Sequence, residues 1–288
     1  MASAARRLQR LSQALQVSTD DSSGSGSASA ASASSVCRPS VAAGDVAIDG
    51  RPPVCLVIGG GRGIGGNVAR RFARDGFTAC VVLRSNADSM EEVCSWIRDD
   101  GGTAHGYLAD ATSEAELGSL VAEIERDVGP IHVAVYNLNA FIARTLDQTT
   151  TEIFDTASQL GARGAFLLAQ AVTPYMLARP ASAMQSIFFT SAASALRANA
   201  TQSAHAAGLS GRRAIAQALS HELWPLGIHV ATINVDGPVN SEDTSGRRSE
   251  DWENVRYAYR KKYIPLAGCA YSRFVMFSGF RMRIYFTE

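Results

Sequence analysis

Lysine is almost missing from this chain of 288 residues: it occurs only at Lys261 and Lys262, and arginine supplies every other strong base. Chemistry that needs an ammonium group earlier in the chain is excluded in any register. Net charge is missing as well, with 27 basic against 27 acidic side chains. That removes the electrostatic footprint of a nucleic-acid binder. No apolar run reaches the ~18 residues of a spanning helix, so no membrane segment is expected. Cysteines are few and odd in number, five at Cys37, Cys55, Cys80, Cys94 and Cys269. They lack metal-type spacing, so reduced thiols are expected rather than a disulfide scaffold or a zinc site. What remains is a globular composition, with 46% hydrophobic and 19% charged residues.

Residues 1–50 differ from the rest. The first 17 carry Arg6, Arg7 and Arg10 with no acid, and Ala4, Leu8, Leu11 and Leu15 share one helical face. Ser22 to Ser35 is nearly all Ser, Gly and Ala, a poorly ordered composition. Such a start resembles a transit peptide for a mitochondrion or plastid. The alternative is an untargeted tail on a cytoplasmic protein. Folding is expected to begin near Pro53. From there, apolar runs (Val54–Ile58, Phe77–Leu83, Ile131–Tyr136, Ser186–Thr190, His229–Ile233) alternate with helical patterns. Thr103–Tyr107 adds a short strand candidate. Continuous apolar strands alternating with helices predict an α/β fold of the Rossmann type, a doubly wound parallel sheet in one domain over 51–241.

The first strand runs into Gly59-Gly60-Gly61-Arg62-Gly63-Ile64-Gly65 and then into a helix. In that context a glycine cluster reads as a pyrophosphate cradle, because the backbone can approach the anion and the helix N-terminus faces it. This segment resembles the cofactor turn of the short-chain dehydrogenase/reductase family, with Ile58 where the family has threonine. The resemblance extends to Ala109-Asp110-Ala111-Thr112, whose aspartate would bind the adenine ring. It also includes the approach to the sixth strand at Glu222 to Val230. It implies a domain of about seven parallel strands and a homodimer or homotetramer. It assigns cofactor contacts to Gly59, Gly61, Arg62, Gly63, Ile64, Gly65, Asp110, Asn137, and Gly237 and Val239 of the loop after the sixth strand. NAD readers place an acid at the end of the second strand. Here that strand ends Leu83-Arg84-Ser85-Asn86. Arg84, with Arg62, offers donors for a 2′-phosphate, so NADP is expected over NAD.

The family's catalysis uses an asparagine, a serine, a tyrosine and a lysine. Aligned on the sixth strand, those positions fall at Gly161, Ala192, His205 and Leu209. His205 is the one titratable group among them, and an imidazole can exchange protons near neutrality. His205, with Ser191 one step before the serine position, is therefore the candidate catalytic pair. Otherwise the histidine is a satisfied polar group. Tyr136 and Arg213 are weaker candidates for the cofactor mouth and for a replacement cation. Two readings follow from the resemblance. One is an NAD(P)(H)-dependent oxidoreductase acting on a carbonyl, alcohol or enoyl substrate. The other is a dinucleotide-binding pseudoenzyme serving as a sensor or assembly subunit. Residues 242–288 carry no family signature; they form a divergent substrate lid or an altered terminus.

Overall fold

A computed structural model describes residues 50–183 and 185–235. The transit-like segment, Gly237, Val239 and the segment 242–288 lie outside the described residues. Six strands form one parallel sheet: β1 (Val54–Ile58), β2 (Thr78–Leu83), β3 (Thr103–Leu108), β4 (Ile131–Tyr136), β5 (Gln185–Ala192) and β6 (Ile228–Val235). Their order is β3-β2-β1-β4-β5-β6, so the chain reverses its direction of winding between β1 and β4. Ligands of such sheets bind at that switch point, outside the carboxyl ends of the strands.

Helices cover both faces. One face buries Cys55, Val57, Val81, Val135, Phe188 and Ile233 under α1 (Ile64–Arg74) and α2 (Ala87–Asp99). The other buries Leu56, Ile58, Val82, Ala134, Tyr136 and Phe189 under three longer rods. These rods are α3 (Glu114–Glu123), the pair α4 (Thr151–Ser158) and α5 (Gly164–Leu177), and α6 (Ser203–Leu223). Every residue of β1 and β4 is buried, which is why these strands read as unbroken apolar runs. Side-chain caps set several helix starts. Asn86 accepts from Ser89 N at 2.9 Å, Ser113 from Glu116 N at 3.3 Å, and Thr150 from Ile153 N at 3.3 Å. Among the described residues no helix is long and apolar enough to cross a membrane.

Two helical runs depart from a plain α-helix. α3 ends in a π turn, Ile124–Val128, and a second π turn, Gln159–Arg163, joins α4 to α5. The second has a visible cause. Gly161 lies against Gly208 of α6 so closely that a Cβ there would stand 2.5 Å from Gly208 Cα. At Gly164 a Cβ would meet the Tyr136 hydroxyl at 2.1 Å. The rod widens by a residue where two neighbours press into it, a common feature near functional sites.

Candidate active site

The glycine turn has the geometry its sequence implies. Gly59 takes a left-handed conformation, φ +82°, and its N–H donates to Val82 O at 2.9 Å. A side chain at Gly65 would put Cβ 2.1 Å from Gly59 O and 2.8 Å from Asn137 Nδ2. At Gly65 the turn is closed backbone to backbone, and a Cβ there would fill it. α1 starts at Ile64 with Gly63 as its N-cap. No side chain caps it, and no acid stands in its first turn. A pyrophosphate bound here would supply the missing acceptor and the negative charge that the helix end favours.

Asn137 ties the switch point together. Its N–H donates to Ile58 O at 2.8 Å, its Nδ2 to Gly59 O at 2.9 Å, and its Oδ1 accepts from Thr190 Oγ1 at 2.8 Å. Its amide is therefore spent on holding β1, β4 and β5 in place beneath the turn, which makes it a supporting residue of the cofactor site.

Asp110, the candidate adenine contact, accepts from Thr112 N at 2.8 Å and Thr112 Oγ1 at 2.7 Å. These bonds hold its carboxyl below the usual range, against the effect of partial burial, and the neighbouring charge of Arg84 adds to them. Arg84 is exposed just past the end of β2, near Asp110 just past the end of β3. Arg62 forms an ion pair with Glu92 of α2, so any phosphate would share it with a carboxylate.

Further along, His205 lies in the first turn of α6, 3% exposed. Its Nδ1 is 2.9 Å from Ala140 O, and Phe141 packs edge-on against the ring with centroids 5.3 Å apart. A carbonyl oxygen only accepts, so Nδ1 carries the proton and Nε2 holds the lone pair in the neutral ring. Ser191 is buried with its Oγ unpartnered. It sits opposite Asn234 in the β5–β6 register, on the face that α6 covers, and makes no hydrogen bond to His205.

The sequence profile of the short chain dehydrogenases matches residues 53–252. The chain belongs to the short-chain dehydrogenase family. It is 28% identical over 189 residues to a short-chain dehydrogenase/reductase of Armillaria gallica, covering 65% of this chain and 71% of that protein. To the hydroxynaphthalene reductase of Aspergillus fumigatus it is 33% identical over 117 residues, 41% of this chain and 43% of the relative. The matched part thus spans less than half of that reductase. Among solved structures, the blue fluorescent protein from a metagenomic library, in complex with NADPH, is 25% identical with a TM-score of 0.63. That superposition covers 71% of this chain and 83% of the other.

The family's four catalytic positions can now be placed. Gly161 forms the π turn, Ala192 ends β5, His205 opens α6, and Leu209 is buried, 1% exposed. Tyr136, a candidate from sequence, is withdrawn from the mouth. Its hydroxyl donates to Leu160 O at 2.8 Å, and burial pushes its pKa to about 12 despite the opposing charge of Arg212. The residue that sequence reasoning passed over is Arg212, which is 1% exposed. Its guanidinium donates to Gly161 O (2.9 Å), Thr190 O (2.7 Å), Leu138 O (2.5 Å) and Leu160 O (2.9 Å). It also lies 4.8 Å from the centroid of the Tyr136 ring. Burial without a paired carboxylate lowers its pKa to about 10. The signal was present in the helical stripe His205, Gly208, Leu209, Arg212, Ala216, which puts an arginine on the apolar face.

Proposed function

We propose that this short-chain dehydrogenase is an NADP(H)-dependent oxidoreductase that interconverts a carbonyl and an alcohol, with His205 in place of the family's tyrosine. The observation that carries the reading is the closed, uncapped glycine turn at Gly59–Gly65 with the basic Arg84, and no acid, at the end of β2. Gly59, Gly61, Gly63, Ile64 and Gly65 would hold the pyrophosphate, Asp110 the adenine, and Arg84 the 2′-phosphate. The bound nicotinamide supplies or accepts the hydride. His205 then handles the proton. In reduction its Nε2–H donates to the substrate oxygen; in oxidation the neutral Nε2 removes the proton from the alcohol. The hydrogen bond from Nδ1 to Ala140 O keeps the ring in the orientation and tautomer that this requires.

The substrate class follows from two points. Phe141, 59% exposed, stands against the His205 ring, and Leu196 is exposed after β5. The Aspergillus fumigatus relative is a hydroxynaphthalene reductase. Polycyclic aromatic ketones are therefore the first substrates to try. The resemblance also points to a homodimer or homotetramer, which light scattering reads directly.

The pseudoenzyme reading has its own support. No lysine replaces Leu209, Gly161 has lost the asparagine side chain with its carbonyl taken by Arg212, and Ser191 does not reach His205. NADPH titration followed by a turnover screen on the full chain separates the two. Binding with turnover that His205→Gln removes supports the oxidoreductase. Binding without turnover supports the pseudoenzyme, and no binding defeats both.

A further inference from the structure

α6 grips the segment after β4 at two points. His205 Nδ1 donates to Ala140 O at 2.9 Å, and Arg212 donates through Nη2 to Leu138 O at 2.5 Å. Seven residues are two helical turns, so both side chains share one face of α6. The gripped segment passes directly over the glycine turn. A Cβ on Gly59 would lie 3.0 Å from Leu138 Cδ2 and 3.1 Å from Leu138 N.

The rest of Arg212 anchors this grip. Its other donors reach Leu160 O and Gly161 O of the π turn and Thr190 O of β5, so three separate segments converge on one planar group. Lysine cannot reproduce this. It has three donors on a single nitrogen, whereas the guanidinium spreads five donors across a fixed fork. The two contacts of α6 are coupled through one intervening residue, Asn139. If Leu138 is released, the Ala140 carbonyl is no longer held opposite the imidazole.

We propose that Arg212 is a positioning residue. By holding Leu138 against α6 it presents the Ala140 carbonyl to His205, fixes the imidazole as the Nδ1–H tautomer, and reserves Nε2 for the substrate. The catalytic consequence rests on the proposed role of His205; the tautomer itself does not need turnover.

The test is a two-bond ¹H–¹⁵N spectrum of the ¹⁵N-labelled full chain at a pH where its five histidines are neutral, with His205→Gln identifying the His205 signals. The native protein should show His205 as the Nδ1–H form. Arg212→Met, folded by circular dichroism, should give a mixture of tautomers, and Arg212→Lys an intermediate one. Where the native protein turns over a ketone, both variants should lose about 10- to 100-fold in kcat, the scale of lost support behind a catalytic ligand. Absence of native turnover would sink the proposed function and leave the tautomer measurement standing. Three results would overturn the positioning role. One is an Nε2–H form in the native protein. Another is an unchanged Nδ1–H form in a folded Arg212 variant. The last is unfolding of both variants, which would make Arg212 a residue of the fold alone.

Discussion

Arg84 is the side chain proposed to choose between the two dinucleotides. It is exposed, it lies near Asp110, and no acid occupies the end of β2 to compete for a ribose hydroxyl. A phosphate there gains a charge-assisted hydrogen bond, worth about 1.5–3 kcal/mol. NADPH should therefore bind roughly 10- to 100-fold more tightly than NADH, and Arg84→Asp should reverse the order. Equal affinities in the native protein, measured by fluorescence titration, would remove the argument. Arg62 is the subordinate partner, because Glu92 already pairs with it. Glu92→Gln should free Arg62 and tighten NADPH while leaving NADH unchanged; an equal change in both affinities would speak against that division. The arginines were legible as residue types. Their ranking was not, because only the folded chain brings α2 against the glycine turn.

At the scale of the element, α6 carries the residues of the proposed catalytic site. Its buried face holds His205, Leu209 and Arg212, with Arg212 three residues beyond the family's lysine position. Residues three apart on a helix are neighbours, with Cβ atoms about 5–6 Å apart. Restoring the lysine by Leu209→Lys would bury an ammonium beside the Arg212 guanidinium. Uncompensated buried charge costs about 3–5 kcal/mol, so this variant should lose stability on that scale in urea. Arg212→Leu alone forfeits the bonds to four carbonyls, so the like-charge account is read from the coupling: the double variant should lose less stability than the sum of the two single losses, and an additive double variant would refute it. Restoring the asparagine at Gly161 meets a different barrier, since Gly208 Cα leaves no room for its Cβ. From sequence, the alignment on the sixth strand sets Gly161, Ala192, His205 and Leu209 at the family's catalytic positions by counting residues. The buried Arg212 was passed over because its neighbour Arg213, four residues after Leu209, drew attention first. The π turn was hidden too, since the pattern from Glu152 to Tyr175 is helical on both sides of it.

For the whole molecule, the alternation of apolar runs and helical stretches was enough to give the doubly wound sheet. The glycine cluster gave the end of the sheet where the cofactor belongs. The opposite end holds a polar network that no motif announced. Arg179 pairs with Glu125 and donates to Ile131 O at 2.8 Å, while Glu125 accepts from Ile131 N at 3.0 Å. Both side chains are at least nine-tenths buried, so Arg179→Met should cost about 3–5 kcal/mol in unfolding free energy. Because this network lies at the start of β4, away from the glycine turn, NADPH affinity should not change. Deleting residues 1–50 should leave the melting temperature within error, since a Ser/Gly/Ala-rich segment has too little apolar surface to offset its chain entropy. The central claim concerns the other end, where an intact cofactor turn meets a histidine in the tyrosine's place. The measurement that tests it most directly is NADPH binding and NADPH-dependent reduction of a polycyclic aromatic ketone, side by side, for the full chain and its His205→Gln variant. The account predicts equal NADPH affinity in both and turnover that falls by about 10²–10⁴-fold in the variant, the worth of a positioned acid. Robust turnover that survives His205→Gln would contradict it.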